Sequence, residues 1–193
     1  MSLNSLTIPA ASRRLAVLGP RWTPLFCLAL LTGACALASF ALACATPFAA
    51  FAVVAVAMLP LSSALVMMAA VWFINQAIGF GALNYPLDAT TVLWGTVILA
   101  AALAAASAAK FVLLLLSRSA NPVALGAALV GAYAAFEVVL VAATPFLGGV
   151  GDFTAAIVGH LGVLNVLWLI GLVAACGIVQ LVVRVGERRM SFR

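Results

Sequence analysis

The sequence predicts an all-α, polytopic membrane protein with six transmembrane helices and both termini in the cytoplasm. Three observations predict it. Apolar residues make up 67% of the 193-residue chain and charged residues only 7%, with a mean hydropathy of +1.32; a soluble domain carries roughly 25% charged residues and about half apolar ones. The apolar runs are continuous and about as long as a spanning helix needs, without the alternation of barrel strands. The basic residues gather in three places that an even number of spans brings to one side.

The N-terminal "MSLNSLTIPAASRRLAVLGPR" is polar, irregular and basic, so residues 1–23 read as a cytoplasmic arm. The first span runs from about Pro24 to Ala45. Its end, "ACATP", looks like a signal-peptidase site. The apolar stretch before it exceeds the ~7–15 residues of a signal-peptide core, so an uncleaved span is expected. "PFAAFAVVAVAMLP", bounded by Pro47 and Pro60, is short for a perpendicular second span and is expected to borrow residues on either side. "LSSALVMMAAVWFINQAIGF" gives the third span, ending near Phe80, and the loop "GALNYPLDAT" follows. The fourth span covers about Thr91 to Leu116. Asn121 and Pro122 then make a helix start, an N-cap followed by a residue whose missing N–H costs nothing in the first turn. The fifth span reaches Thr144 and Pro145, and "FLGGVGD" connects it to a sixth from about Phe153 to Val183. Residues 24–183 thus form one membrane domain, and residues 184–193 a basic cytoplasmic tail.

Orientation follows from charge. Arg13, Arg14 and Arg21 precede the first span, Lys110 and Arg118 flank the turn between spans four and five, and Arg184, Arg188, Arg189 and Arg193 follow the sixth. Six spans put all of these on one side, which the positive-inside rule makes the cytoplasm. The opposite side carries Asp88 and Asp152. The expected location is a bacterial-type cytoplasmic (inner) membrane, crossed several times. The net charge of +5 is therefore a topology signal, not a nucleic-acid footprint. Cys27, Cys35 and Cys44 do not share one helical face, Cys176 is far off, and no CxxC or Cys/His metal spacing exists. They read as packing residues, and no metal site is expected.

Polarity inside the spans is confined to one level. Asn75 and Gln76 fall in the outer third of span three, Glu137 beyond the midpoint of span five, and His160 in the first turns of span six. Asn84, Tyr85 and Asp88 hang above them in the third-to-fourth connection. A polar group facing lipid costs several kcal/mol, so these groups should face each other or an outward-opening cavity. Each also has a plainer role: interhelical hydrogen bonds for Asn75 and Gln76, a structural pair for Glu137 and His160, helix N-caps for Asp88 and Asp152, and interface-belt positions for Trp72, Trp94, Trp168 and Tyr85. Gly79, Gly81 and Tyr85-Pro86 argue for a fixed, non-helical loop roofing the polar level.

Function classes can then be weighed. A single histidine excludes a bis-His heme. No nucleophile with a base stands out, and HExxH or a His/Asp cluster is absent, so no enzyme is expected. A channel needs a polar path through both leaflets, whereas the inner halves here are almost pure Ala, Val and Leu.

Six spans, both termini inside, a small-residue first helix and a pocket roofed by loops resemble the S component of an energy-coupling-factor vitamin transporter, and "NQAIGFGALNYP" is most similar to the solitary cobalamin transporters. The resemblance covers the chain in layout and carries no diagnostic motif. It implies capture of a vitamin, cobalamin being the transported ligand in that branch, with the third loop touching substrate. It also implies contact of Ala34, Ala38, Ala41 and Ala45 with an energy-coupling membrane subunit that works with ATPases. Those transporters can offer a cysteine thiolate to cobalt near this loop; none occurs between Ala77 and Asp88, which leaves the His160 imidazole as the alternative.

The expected function is an uptake protein binding a small vitamin-like molecule, with no resident cofactor. Asn75 and Gln76 would supply amide hydrogen bonds, Glu137 an acceptor or counter-charge, His160 a donor or metal ligand, and Tyr85 a stacking or closing contact; Asp88 completes the candidate set. The alternatives are a non-transporting membrane subunit or assembly factor, and a proton-coupled carrier using Glu137.

Overall fold

The structure, a computed structural model, describes residues 14–15, 18–42, 45–149, 151 and 153–190, with side chains of the last helix described as far as residue 185. These residues form helices α1 (Thr23–Leu42), α2 (Phe48–Met58), α3 (Leu61–Gly81), α4 (Ala89–Leu115), α5 (Asn121–Leu147) and α6 (Ala155–Met190). Five of them, all but α2, are long and apolar enough to cross a membrane. The expectations for Arg13, Cys44, Asp152 and Arg193, and for the side chains of Arg188 and Arg189, lie outside the described residues.

The second segment departs most from its expectation. It borrows nothing from its flanks and stops at 11 residues. That is ~16 Å at 1.5 Å per residue, about half of a ~30 Å hydrocarbon core. Proline explains the limits: Pro47 is its N-cap and Pro60 the N-cap of α3, and a proline cannot donate into a continuing helical ladder. Every residue from Phe48 to Leu59 is at most 3% exposed, and α2 touches each of the other five helices. A helix apolar on every face belongs inside a bundle. Its alanines let neighbours approach closely, while Phe51 packs edge-on against Trp168 of α6, ring centres 6.0 Å apart.

Both ends of α2 are met by distant parts of the chain. At its start, the Ala50 N–H donates to Asn165 Oδ1 of α6 at 3.0 Å. At its finish, the Ala57 carbonyl accepts the Leu15 N–H at 3.2 Å. Burying four orphan donors and four orphan carbonyls without partners is expensive in lipid, and these two bonds relieve part of that cost.

Part of the N-terminal arm lies against the bundle: Leu15 is buried, whereas residues 19–22 are exposed. The Arg14 guanidinium donates to the Ser119 carbonyl at 2.9 Å, to Asn121 Oδ1 at 3.1 Å and to the Leu116 carbonyl. This fork closes the C-terminal end of α4 and corrects the reading of Asn121. Ala120, not Asn121, is the N-cap of α5; the Asn121 oxygen is engaged by a charge-assisted bond from Arg14. Arg14 and the α4–α5 turn define a basic end of the bundle, opposite the α3–α4 and α5–α6 connections.

The remaining helices follow the pattern of small residues. Ala102, Ala105, Ala106 and Ala109 of α4 and Ala124, Ala128 and Ala132 of α5 are fully buried, giving the most extensive helix pair in the bundle. Helix α5 runs through Pro145 to Leu147 instead of stopping there. The carbonyl that proline leaves without its usual donor, Val141 O, accepts from Thr144 Oγ1 at 2.8 Å; a threonine neighbour commonly satisfies the backbone in this way. Helix α6 passes the expected Val183 and reaches Met190, since Glu187, Arg188 and Arg189 are good helix formers.

Candidate functional site

Because α2 is only half the length of a span, the end of the bundle opposite Arg14 lacks a central helix. A partly open cavity of about 210 Å³ lies there. Thr46 and Phe48, at the entry to α2, line its base. Asn75 and Gln76 come from α3, Trp94 from α4, Tyr133 and Glu137 from α5, and Asn165 from α6, while Tyr85 reaches in from the α3–α4 connection.

A hydrogen-bonded chain builds one wall. Asn75 Nδ2 donates to Ser39 Oγ of α1 and to Thr46 Oγ1, both at 2.9 Å. Gln76 Nε2 donates to Asn75 Oδ1 at 3.3 Å. Adjacent residues on a helix diverge by ~100°, so the two amides share the cavity because the Gln76 side chain bends back toward its neighbour. Gln76 Oε1 lies over Gly95 of α4, where a methyl group would sit 2.8 Å from it. On the facing side, Asn165 Nδ2 donates to Leu161 O at 3.0 Å while its oxygen holds α2. The Tyr133 hydroxyl donates to Val158 O at 2.6 Å, linking α5 to α6.

Glu137 is the exception. Its side chain lines the cavity, but both carboxyl oxygens are closed off from that space and from water, and the polar side chain they meet is Tyr133, one turn back on α5. Buried polar groups nearly always find partners, and a charged one left alone is costlier still.

Gly79 and Gly81, expected in a non-helical loop, lie within α3, so the connection to α4 is residues 82–88 alone. Asn84 takes a left-handed φ of 54°, a conformation asparagine tolerates better than most residues. The Tyr85 N–H donates to Gly79 O at 3.0 Å. The Tyr85 ring lies against Gly79 so closely that a Cβ there would meet it at 2.8 Å, and it stands edge-on to Phe80 with centres 6.5 Å apart. Gly79 is therefore required by the seating of Tyr85.

Of the six expected site residues, Asn75, Gln76, Tyr85 and Glu137 line this one cavity, and Asp88 and His160 do not. Asp88 is the exposed N-cap of α4: its Oδ1 accepts the Thr91 N–H at 2.8 Å, and that bond holds its carboxyl below the usual carboxylate range. His160 is exposed; its neighbour Leu161 faces the cavity, and one step along a helix turns the side chain away. The glutamate–histidine pair considered from the sequence is thus not formed. Thr46, Tyr133 and Asn165 belong to the cavity but were not among the expected residues. Tyr133 precedes Glu137 by one turn and so shares its face, and Asn165 is an amide within an apolar helix; both signals are present in the sequence.

The alanine series does not make one surface. Ala38 is fully buried, Ala41 is exposed, and Ala45 lies beyond α1, against the cavity. Ala34 and Ala41, with Gly33 and Leu37, line instead a second hollow, an apolar groove of about 630 Å³ between α1 and α6. Among the described residues no three His, Cys, Asp or Glu side chains come together to hold a metal ion.

In comparison with known proteins, the chain matches no family model, no curated protein and no solved structure at a significant level.

Proposed function

We propose that this chain is an uptake protein of a bacterial-type inner membrane that captures a small molecule in the cavity above α2, from the outer side. In this reading α2, with the flanking segments, makes the sixth crossing. Both termini are then cytoplasmic, the basic end faces the cytoplasm under the positive-inside rule, and the cavity faces out. One observation carries the proposal: polar groups from α3, α5, α6 and the α3–α4 connection converge on a hollow at one depth, in a solvent where stray polarity is penalised. Asn75 and Gln76 form its polar wall and Tyr85 its closing contact.

The cavity is smaller than the ~300–1,000 Å³ of typical small-molecule pockets, which favours a compact ligand over a corrinoid such as cobalamin. Native mass spectrometry of the purified protein, exposed to a panel of vitamins, metal complexes and small metabolites, tests the proposal. A bound molecule that is lost when the cavity is filled by Gly95→Leu supports it. No adduct from any panel member, with a protein partner retained instead, would replace it with a second reading, a membrane subunit. The apolar α1–α6 groove favours that reading, and in an uptake system the same groove would meet an energy-coupling subunit.

A further inference from the structure

We propose that the ligand of this cavity is a small neutral molecule with an apolar body, whose polar atoms are hydrogen-bond acceptors such as a carbonyl oxygen or a ring nitrogen. It has no more than about ten non-hydrogen atoms. This rests on the capture reading above and names the chemical class it would serve.

The amide network fixes which atoms are in reserve. Asn75 spends both of its N–H groups, on Ser39 Oγ and Thr46 Oγ1 at 2.9 Å each, so its oxygen is left to accept. Gln76 must therefore turn its nitrogen, not its oxygen, toward Asn75, and it donates there at 3.3 Å. An amide nitrogen carries two hydrogens, so one N–H of Gln76 is unspent. Asn165 stands likewise, with one N–H given to Leu161 O at 3.0 Å. The Trp94 indole N–H has no partner among the described residues. Spare N–H donors from α3, α4 and α6 thus belong to side chains that line one hollow.

Acceptors are scarcer. The Glu137 oxygens are shut away from the hollow, against Tyr133, and the Asn165 oxygen is taken by the Ala50 N–H. The Gln76 oxygen is left, pressed against Gly95. Hydroxyl groups give and accept equally well, so Thr46, Tyr85 and Thr91 favour neither. A wall with surplus donors is complementary to a ligand rich in acceptors.

Charge narrows the class. No lysine, arginine or histidine lines the hollow, so an anion would find N–H dipoles but nothing to offset its charge, and the negative faces of aromatic rings would repel it. A cation would meet N–H hydrogens, with the carboxyl group sealed behind the wall. A hydrocarbon would leave the donors unpaired and stripped of water. A neutral acceptor satisfies them, while Phe48, Tyr85, Trp94, Tyr133 and Phe136 enclose its apolar body. Size adds a limit: about 210 Å³ equals roughly seven liquid-water volumes.

Isothermal calorimetry on the full-length protein in detergent, with titration into empty micelles subtracted, tests this with two matched pairs. Acetophenone is compared with isopropenylbenzene, in which a methylene group replaces the carbonyl oxygen, and pyridine with benzene, at a pH where pyridine is uncharged. At least one acceptor compound should bind about tenfold more tightly than its isostere, the gain expected from one or two neutral hydrogen bonds. Trp94→Phe combined with Gln76→Met removes two of the donors and should cut that preference by about threefold or more, while the isostere still binds. If that variant does not fold, the pairs on the natural chain decide alone. Equal binding within both pairs, or a preference unchanged in the folded double variant, overturns the assignment but leaves capture standing. Tighter binding of benzoate or benzylammonium than of either acceptor compound does the same. Absence of binding by every compound to folded protein also overturns the assignment; should the wider metabolite panel fail as well, capture falls with it.

Discussion

Asn165 of α6 accepts the backbone N–H of Ala50, 115 residues earlier in the chain, at 3.0 Å. This bond meets one of the orphan donors at the start of the enclosed helix α2 and fixes the level at which the cavity ends. Asn165→Leu should leave that N–H without a partner, at a cost of about 1–3 kcal/mol. A lowered midpoint of thermal unfolding in detergent checks it. Asn165→Asp keeps the accepting oxygen but loses the bond to Leu161 O and buries a carboxyl group, so it should not restore stability.

Arg14 supplies the matching constraint at the basic end, where its guanidinium joins Leu116, Ser119 and Asn121. Hydrogen bonds from charged donors are worth about 1.5–3 kcal/mol each, and less where water competes. Arg14→Ala should therefore lower stability by about 1–3 kcal/mol and speed proteolysis of the arm. Arg14→Lys should recover only part, because an ammonium cannot reproduce the fork. Equal proteolysis rates in all three proteins would contradict this role.

Gly79 makes room for Tyr85. In Gly79→Ala the new methyl group would meet the ring at 2.8 Å, so Tyr85 must leave its seat. The strain is on the order of 0.5–1.5 kcal/mol if the ring is forced off its rotamer. In a variant keeping Trp94 as its only tryptophan, Gly79→Ala should increase quenching of that fluorescence by iodide. Unchanged quenching would mean that Tyr85 does not close the cavity.

Asp88 gives a pH dependence with a definite sign. Its carboxyl is held below the ordinary value of 3.8 by the Thr91 N–H. A depressed folded-state pKa contributes stability that is fully present above the unfolded value and is lost as pH falls through the folded one. The stability difference between the natural chain and Asp88→Asn should thus be constant near neutrality and shift against the natural chain below about pH 4. The asparagine cap does not titrate, so subtracting it removes the other carboxyl groups. A difference independent of pH would show that the cap is not formed.

Most of the architecture could be read in advance because hydrocarbon imposes it. Long apolar runs gave α1, α3, α4 and α5 within three residues at each end and the start of α6, whose other end runs seven residues past the expected Val183; the polar level gave Asn75, Gln76, Tyr85 and Glu137 as one group. What could not be read was azimuth. Depth follows from counting residues, but the direction of His160 depends on how α6 rotates against α5, and no local pattern sets that. The alanine series misled for the same reason: in so alanine-rich a chain, Ala38 facing inward and Ala41 facing outward carry the same letter. Pro47 and Pro60 set the limits of α2, but the segment was expected to extend past them, and its enclosure depends on all five neighbours together.

The account depends on a hollow at one face of the membrane, left by a central helix of half length. The most direct measurement is thiol labelling in intact cells with a membrane-impermeant maleimide, in a chain whose four native cysteines are replaced. Leu140→Cys, a cavity position ~10 Å from the end of α5, should label from outside without permeabilisation, whereas Ser117→Cys, in the α4–α5 turn, should label only after it. Labelling of Ser117→Cys from outside, or of Leu140→Cys only in opened cells, would contradict it.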